Sequence, residues 1–428
     1  MSGRSEMSMR LLVVTQMFWP ENFRINDLVA GLVERGHEVV VLTGLPNYPK
    51  GSWFAGYGLR GPWTETHAGA RVLRVPMIPR GRGGGVRLAI NYLSFAVAAS
   101  FIGAIRCRGH FDAIFVFEPS PVTVGLPAIV LKHLRDAPIF FWVLDLWPDS
   151  VRAVGAVRSE WVLGAIGRLV RYIYRESDWI LVQSPAFVDA VRQFGVDERR
   201  ILFFPSWAEP VFTDPPARRA AVARPSLPPG RCIMFAGNIG VAQDFPTIID
   251  AAERLRDRKD LHWVVVGDGR MGPWAREEAV RRRLVNVHFW GSYPLEDMPD
   301  ILAAADVLLV TLKPDPVFAR TIPGKVQAYL AVGRAVIGML EGEGARVIQE
   351  AGCGTTCTPG DAAALAAAAG AFAEMSADRI QSLGRAGKAY YASHFERRML
   401  FDRLEAWMGG RGLPDRSQGP AREVSDVS

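Results

Sequence analysis

The stretch MRLLVVTQMFWPENFRINDLVAGLVERGHEVVVLT (Met9–Thr43) decides the fold. It opens on an apolar run, MRLLVVT, passes through a polar turn, and continues from Asn22 to Arg35 as a predicted helix before a second apolar run, HEVVVLT. Apolar residues at consecutive positions mark strands buried on both faces, and such strands alternating with helices build a parallel sheet. The same pattern recurs at DAIFVF (Asp112–Phe117), IFFWVLD (Ile139–Asp145) and WILVQ (Trp179–Gln183). A segment rich in Pro, Ala and Arg, PVFTDPPARRAAVARPSLPPG (Pro210–Gly230), then interrupts it without any sustained apolar period and reads as a linker.

The pattern restarts beyond the linker. CIMFAG (Cys232–Gly237), HWVVVGDG (His262–Gly269), VHFWG (Val287–Gly291), DVLLVTL (Asp306–Leu312) and AVIGM (Ala335–Met339) are predicted strands, with a helix expected over Pro246–Arg258 and an Ala-rich one from Asp361 to Glu374. A chain of 428 residues is longer than one hydrophobic core normally serves. The expected division is an N-terminal domain over 9–208, a linker over 209–230, a C-terminal domain over 231–395, a helix over 396–408 packing back toward the N-terminal domain, and a disordered tail over 409–428. Two such domains place a cleft between the carboxyl ends of two sheets, where ligands of open α/β folds bind.

Composition narrows the function class. Four cysteines (Cys107, Cys232, Cys353, Cys357) and scattered histidines support neither a disulfide framework nor a metal centre. The start lacks the apolar core and cleavage site of a signal peptide, so the expected location is the cytoplasm.

The net charge of +6 is concentrated in one place. No acidic residue lies between Glu65 and Asp112, whereas Arg71, Arg74, Arg80, Arg82, Arg87, Arg106 and Arg108 do. Inside that stretch, Leu88–Ile105 (LAINYLSFAVAASFIGAI) carries no charge. It meets the lower length of a membrane span, but its Asn91, Ser94 and Ser100 and its Ala and Gly content fit a core helix, or one lying in a bilayer interface, better than a span. Arginines at both ends give no inside-outside asymmetry. With few aromatics interleaved among them, they do not form a nucleic-acid surface.

The loops at strand ends carry the chemistry. GNIGVAQ (Gly237–Gln243) follows a strand and precedes a helix, so its glycines let backbone N–H groups approach an anion; it is neither a dinucleotide fingerprint nor a P-loop. GDGR (Gly267–Arg270) ends the next strand. In TIPGKVQAYLAVGRAVIG (Thr321–Gly338), Pro323 suits a helix start, Gly324 permits close approach, and Lys325 sets an ammonium at the positive helix end. In the first half, Glu21, Asn22 and Arg24 lie near a helix start, and Glu118, Asp145 and Asp149 follow strand ends. A carboxylate there can accept a proton or orient a sugar, or simply cap a helix. No Ser-His-Asp set stands in nucleophile-elbow context.

Together these motifs resemble the retaining glycosyltransferases of the GT-B fold, family 4, over roughly residues 9 to 408. The resemblance is carried by FWPENFRINDLVAGLVERGHEVVVLTGLPNYPKG, DLWPDS, FPSW, GNIGVAQ, VVVGDG, VHFWGSYP and PGKVQAYLAVGRAVIG. It is similar to the branch that assembles O-antigen and capsule sugars, including N-acetyl-L-fucosamine transferases.

The resemblance implies two Rossmann-like domains. The C-terminal one would bind a UDP-sugar through Gly237, Asn238, Gly240, Gln243, Gly267, Asp268, Gly269, Ser292, Tyr293, Pro323, Gly324, Lys325 and Gln327. The N-terminal one would bind the acceptor, expected to be a polyprenyl-diphosphate-linked glycan; from their strand-end positions Glu21, Asn22, Arg24 and Asp149 are the acceptor-side candidates, and Asp145 and Glu118 join Lys325 as catalytic candidates. No metal or other cofactor is implied, and a peripheral position at the inner face of the plasma membrane is, with the 88–105 segment meeting the bilayer.

This chain departs from the family pattern in several places. It has Asn238 and Gln243 where many members carry Arg and Lys, Ala319 and Gln327 where many carry two glutamates, and Ala335 where proline is common. Two alternatives stand beside transfer: a nucleotide-sugar epimerase or hydrolase on the same fold, and a non-catalytic nucleotide- or glycan-binding partner.

Overall fold

The computed structural model describes residues 8–81, 84–153, 155, 157–214, 222–227 and 229–415. Arg82, linker residues 215–221 and 228, and the tail beyond 415 lie outside the described residues. The chain divides into two compact units. One holds the described residues up to Phe204 together with those from Leu400 onward, and Pro205–Met399 forms the other.

The first unit is built on β1 (Arg10–Val14), β2 (Glu38–Gly44), β3 (Thr64–His67), β4 (Ala70–Val75), β5 (Ala113–Glu118), β6 (Ile139–Val143), β7 (Trp179–Val182) and β8 (Ile201–Phe203). They form one sheet in the order β3-β4-β2-β1-β5-β6-β7-β8, parallel except where β3 runs against β4. The order turns back between β1 and β5, which opens a crevice at their carboxyl ends. β5 and β6 are buried at every position, as their uninterrupted apolar runs require. The fully buried Trp142 satisfies its indole by donating from Nε1 to the Phe204 carbonyl oxygen at 3.0 Å.

The last described helix, Arg397–Met408, buries Leu400, Phe401, Leu404 and Trp407. From Leu400 onward it belongs to the first unit, where Arg35 pairs with Glu405 at 2.6 Å and with Asp402, and His37 meets Glu405 at 2.8 Å.

The second unit contains β9 (Arg231–Ala236), β10 (Leu261–Val266), β11 (Val287–Gly291), β12 (Val307–Thr311), β13 (Ala335–Met339) and β14 (Gly354–Cys357). All are parallel, in the order β11-β10-β9-β12-β13-β14, so the strand order reverses between β9 and β12. The Ala-rich segment is a packed helix, Ala362–Glu374. Asp361 caps it by accepting from the Ala363 and Ala364 amides at 2.9 Å each.

Four strands, β3, β4, β8 and β14, were not legible as apolar runs. β3 (TETH) and β14 (GTTC) are polar and half-buried sheet edges, and β8 is only three residues long. The predicted linker contains a short helix, Pro210–Thr213, and the predicted Pro246–Arg258 helix runs from Phe245 to Arg254. The Asn22–Arg35 helix begins at Arg24, after Phe23 in extended conformation, and ends at Glu34. The arginine-rich stretch is less uniform than its composition suggested. Arg74 is 1% exposed, bonded to Glu65 and to the Gly44 and Trp19 carbonyl oxygens, and so is structural.

Candidate active site

In the second unit three loops converge beside β9, at the point where the strand order reverses. Their closeness explains the glycines. Gly237 has φ of +131° and Gly267 of +124°, a region costly for any residue with a Cβ. A Cβ on Gly267 would stand 2.0 Å from the Gly237 carbonyl oxygen, and one on Gly269 would lie 2.5 to 2.7 Å from Asn238 Oδ1 and the Ile239 backbone. The two turns therefore pack backbone against backbone. Hydrogen bonds lock them: Ile239 N donates to the Asp268 carbonyl oxygen at 2.9 Å, and Met271 N to that of Ile239 at 2.8 Å.

The third loop enters from the opposite side. A Cβ on Gly237 would meet Lys325 Cε at 2.7 Å and Nζ at 3.1 Å. Pro323 caps the Gly324–Val332 helix from an extended conformation, which sets Lys325 in its first turn. One turn further on, Tyr329 anchors that helix to the end of β9, accepting from Ala236 N and donating to its carbonyl oxygen, each at 3.2 Å.

Lys325 Nζ is buried, has no hydrogen-bond partner, and lies 3.7 Å from the centroid of the Phe235 ring. Burial lowers its pKa from the ordinary 10.5 to about 7. An orphaned buried amine facing a glycine turn, with the free amides of a helix start beside it, is arranged to receive an anion.

The other predicted donor residues divide by role. Gln243 accepts from Gly240 N at 3.1 Å through Oε1, closing its own loop, while its carbonyl oxygen accepts from Thr311 Oγ1 at 2.6 Å. Asn238, Asp268, Ser292 and Gly324 are exposed, and Tyr293 is half-buried. Gln327 is 1% exposed and donates from Nε2 to the Ser206 carbonyl oxygen at 3.0 Å, so it braces the helix rather than facing solvent. Sequence reading passed over Glu343. It is a buried carboxylate paired with Arg346 at 2.7 Å, and it follows Gly342, whose Cβ would strike the Ala319 carbonyl oxygen.

In the first unit, Glu118 ends β5 and Asp145 follows β6, its neighbour in the sheet. Glu118 is fully buried, with Oε2 3.4 Å from the Asp145 amide that donates to it and Oε1 without a partner. Burial, and then the charge of Asp145, push its pKa well above the usual carboxylate value. Asp145 is half-buried and accepts from Trp147 Nε1 at 3.1 Å. Burial raises its pKa as well, against hydrogen bonds that lower it. Of the two, Asp145 is the one that reaches solvent.

Glu21 is 2% exposed and serves the backbone: Oε1 accepts from Asn47 N at 2.7 Å and Tyr48 N at 2.6 Å, and Oε2 from Phe18 N at 3.2 Å. It ties two crevice loops together. Asn22 and Asp149 are exposed, and Arg24 is half-buried.

Comparison with known proteins names this arrangement. The model described as "Glycosyl transferase 4-like domain" matches residues 22–207, and that described as "Glycosyl transferases group 1" matches residues 230–374. The chain is a GT-B glycosyltransferase.

Among its relatives, "Probable glycosyltransferase WbjE" of Pseudomonas aeruginosa is 26% identical over 65% of this chain and 72% of its own. "Putative colanic acid biosynthesis glycosyl transferase WcaI" of Escherichia coli K12 is 27% identical over 76% of this chain and 82% of its own. Among solved structures, Alr3699/HepE of Anabaena, in complex with UDP and glucose, superposes with a TM-score of 0.64 at 14% identity, covering 94% of this chain and all of its own. WaaG, a glycosyltransferase involved in lipopolysaccharide biosynthesis, gives 0.62 at 15% identity over the same shares.

The match positions fall on both units of this glycosyltransferase. The glycine loops and Lys325 lie within the group 1 match, and Glu21 lies just before the 4-like match that contains Glu118 and Asp145.

Proposed function

We propose that this glycosyltransferase moves a sugar from a UDP-sugar to a hydroxyl of a polyprenyl-diphosphate-linked glycan, with retention of anomeric configuration, in cell-surface polysaccharide assembly. The single observation that carries the donor half is Lys325 Nζ, buried and unpartnered against the Gly237 turn. A nucleotide diphosphate leaves with charge on its phosphate oxygens. Glycine-turn amides, the start of the Gly324–Val332 helix and a desolvated ammonium together stabilise such charge without reorganising. UDP and glucose in the Alr3699/HepE structure support a UDP donor, and the names of WcaI and WaaG support a polysaccharide product.

The motif resemblance to N-acetyl-L-fucosamine transferases favours an N-acetylated or deoxy sugar. In the acceptor half, Asp145 is the carboxylate placed to orient the attacking hydroxyl or take its proton, and buried Glu118 supports its backbone from behind. The site of action is the inner face of the plasma membrane, where lipid-linked glycans are extended.

The test is transfer from UDP-sugars to a polyprenyl-diphosphate glycan, read by mass spectrometry. Lys325→Ala should lower turnover by about a hundredfold or more with the fold intact by circular dichroism. Unchanged turnover in that variant overturns the role of Lys325. Complete conversion of the UDP-sugar without acceptor would instead identify an epimerase or hydrolase. UDP binding without transfer to any acceptor would identify a non-catalytic partner.

A further inference from the structure

The Gly85–Arg106 helix is, among the described residues, the one long and apolar enough to cross a membrane, but the fold occupies one side of it. Asn91, Phe95, Ala96, Ala99 and Gly103 are buried in the first unit. Asn91 accepts from Gln16 Nε2 at 2.8 Å through Oδ1, and a Cβ on Gly103 would press into Leu42 at 2.8 Å. A helix packed this way cannot be surrounded by lipid.

Its other side is unlike a soluble surface. Val86, Ile90, Leu93, Val97, Phe101 and Ile105 are 41% to 77% exposed and recur every three or four residues, forming a single stripe. Apart from Arg87, every exposed residue of this helix is apolar. The neighbouring Gly125–Arg135 helix, buried in the same core, adds Val130 and Leu134 at 36% and 50% exposure. Patches of this extent mark a surface that is covered by something.

The charge around the stripe identifies the cover. Arg87 and Arg108, both exposed, flank its two ends. Among the described residues neither is ion-paired to a carboxylate. An apolar stripe with an arginine at each end fits an anionic bilayer, because the side chains enter the acyl region while guanidinium groups meet lipid phosphates. The packed side of the same helix reaches the acceptor-side loops: Tyr92 packs on Trp147 with ring centroids 6.1 Å apart, and Trp147 holds Asp145.

We infer that the outer face of the Gly85–Arg106 helix docks the enzyme on an anionic bilayer, inserting its apolar stripe into one leaflet. The inference deepens the lipid-linked acceptor reading, but the test reads vesicle binding and not transfer, so the two fail separately. The full chain should sediment with vesicles of phosphatidylglycerol and phosphatidylcholine, and weakly with phosphatidylcholine alone. Phe101→Glu should weaken binding about tenfold or more, and Leu93→Glu, two turns earlier on the stripe, should do the same. Val280→Glu, on the second unit at 78% exposure, should leave binding unchanged. Thermal melts establish that each variant is folded. Equal sedimentation with neutral vesicles, wild-type binding by both stripe variants, or a lipid-free dimer that Phe101→Glu splits would each overturn the inference; the last would assign the stripe to a second copy of the chain.

Discussion

Replacing Lys325 with methionine should stabilise the second unit at neutral pH while removing its response to UDP. The side chain is buried at Nζ with no hydrogen bond, and its pKa falls from 10.5 to about 7. A depressed lysine pKa means that between those two values the unfolded chain binds a proton that the folded chain does not, so this residue's contribution to stability rises with pH across that window. Below pH 7 both states are protonated and the folded state bears the whole penalty. At about 1.4 kcal/mol per pH unit that penalty has a ceiling of about 5 kcal/mol, falling to about 1.4 kcal/mol at pH 9.5. Methionine has nearly the same length and retains an attractive contact with the Phe235 ring.

The assay is native-state hydrogen exchange of β9 and the Gly324–Val332 helix in the full chain, wild type against Lys325→Met, at pH 6.5 and 9.5. The variant should be the more protected at pH 6.5, with the gap closing at pH 9.5. A diphosphate restores the charge, so UDP binding to the wild type at pH 8 should take up close to one proton, measured as the dependence of calorimetric heat on buffer ionisation. A variant no more stable at pH 6.5, together with heats independent of buffer, would refute the buried, neutral lysine.

Two further outcomes follow from the geometry. Gly267→Ala places a methyl 2.0 Å from the Gly237 carbonyl oxygen at a φ of +124°, and should cost about 2 kcal/mol or more in a denaturant titration while weakening UDP binding measured by calorimetry. Glu118→Gln should keep kcat within about threefold, because the fully buried Glu118 cannot reach an acceptor hydroxyl, whereas Asp145→Asn should lower kcat by about a hundredfold in the transfer assay. Equal losses in the two variants would mean that Glu118 carries the proton.

Much of this site was legible in the sequence because its parts are backbone-driven. A glycine is required wherever two turns touch, so GNIG and GDG announce themselves, and PGK at a helix start does the same. The side-chain partners were not legible. Glu118 and Asp145 look alike after two strands, yet one is sealed in and the other reaches solvent, because burial at a strand end depends on what the neighbouring loop lays over it. Gln327, grouped with the UDP-sugar contacts by its motif, has its Nε2 bonded to the Ser206 carbonyl oxygen. The polar edges β3 and β14 escaped because a half-buried edge strand needs no apolar run.

By itself the sequence determined two doubly wound units and the positions of the tightly packed glycine turns. Unbroken apolar strands can be buried only within covered parallel sheets, and close backbone approach admits only glycine. Only the tertiary structure decided which side of the uncharged Leu88–Ile105 run is packed, that Arg74 is interior while Arg87 and Arg108 are not, and that Lys325 Nζ has no partner. Those outcomes depend on which surfaces distant segments bring together, and a linear pattern records a residue's own polarity but not its neighbours.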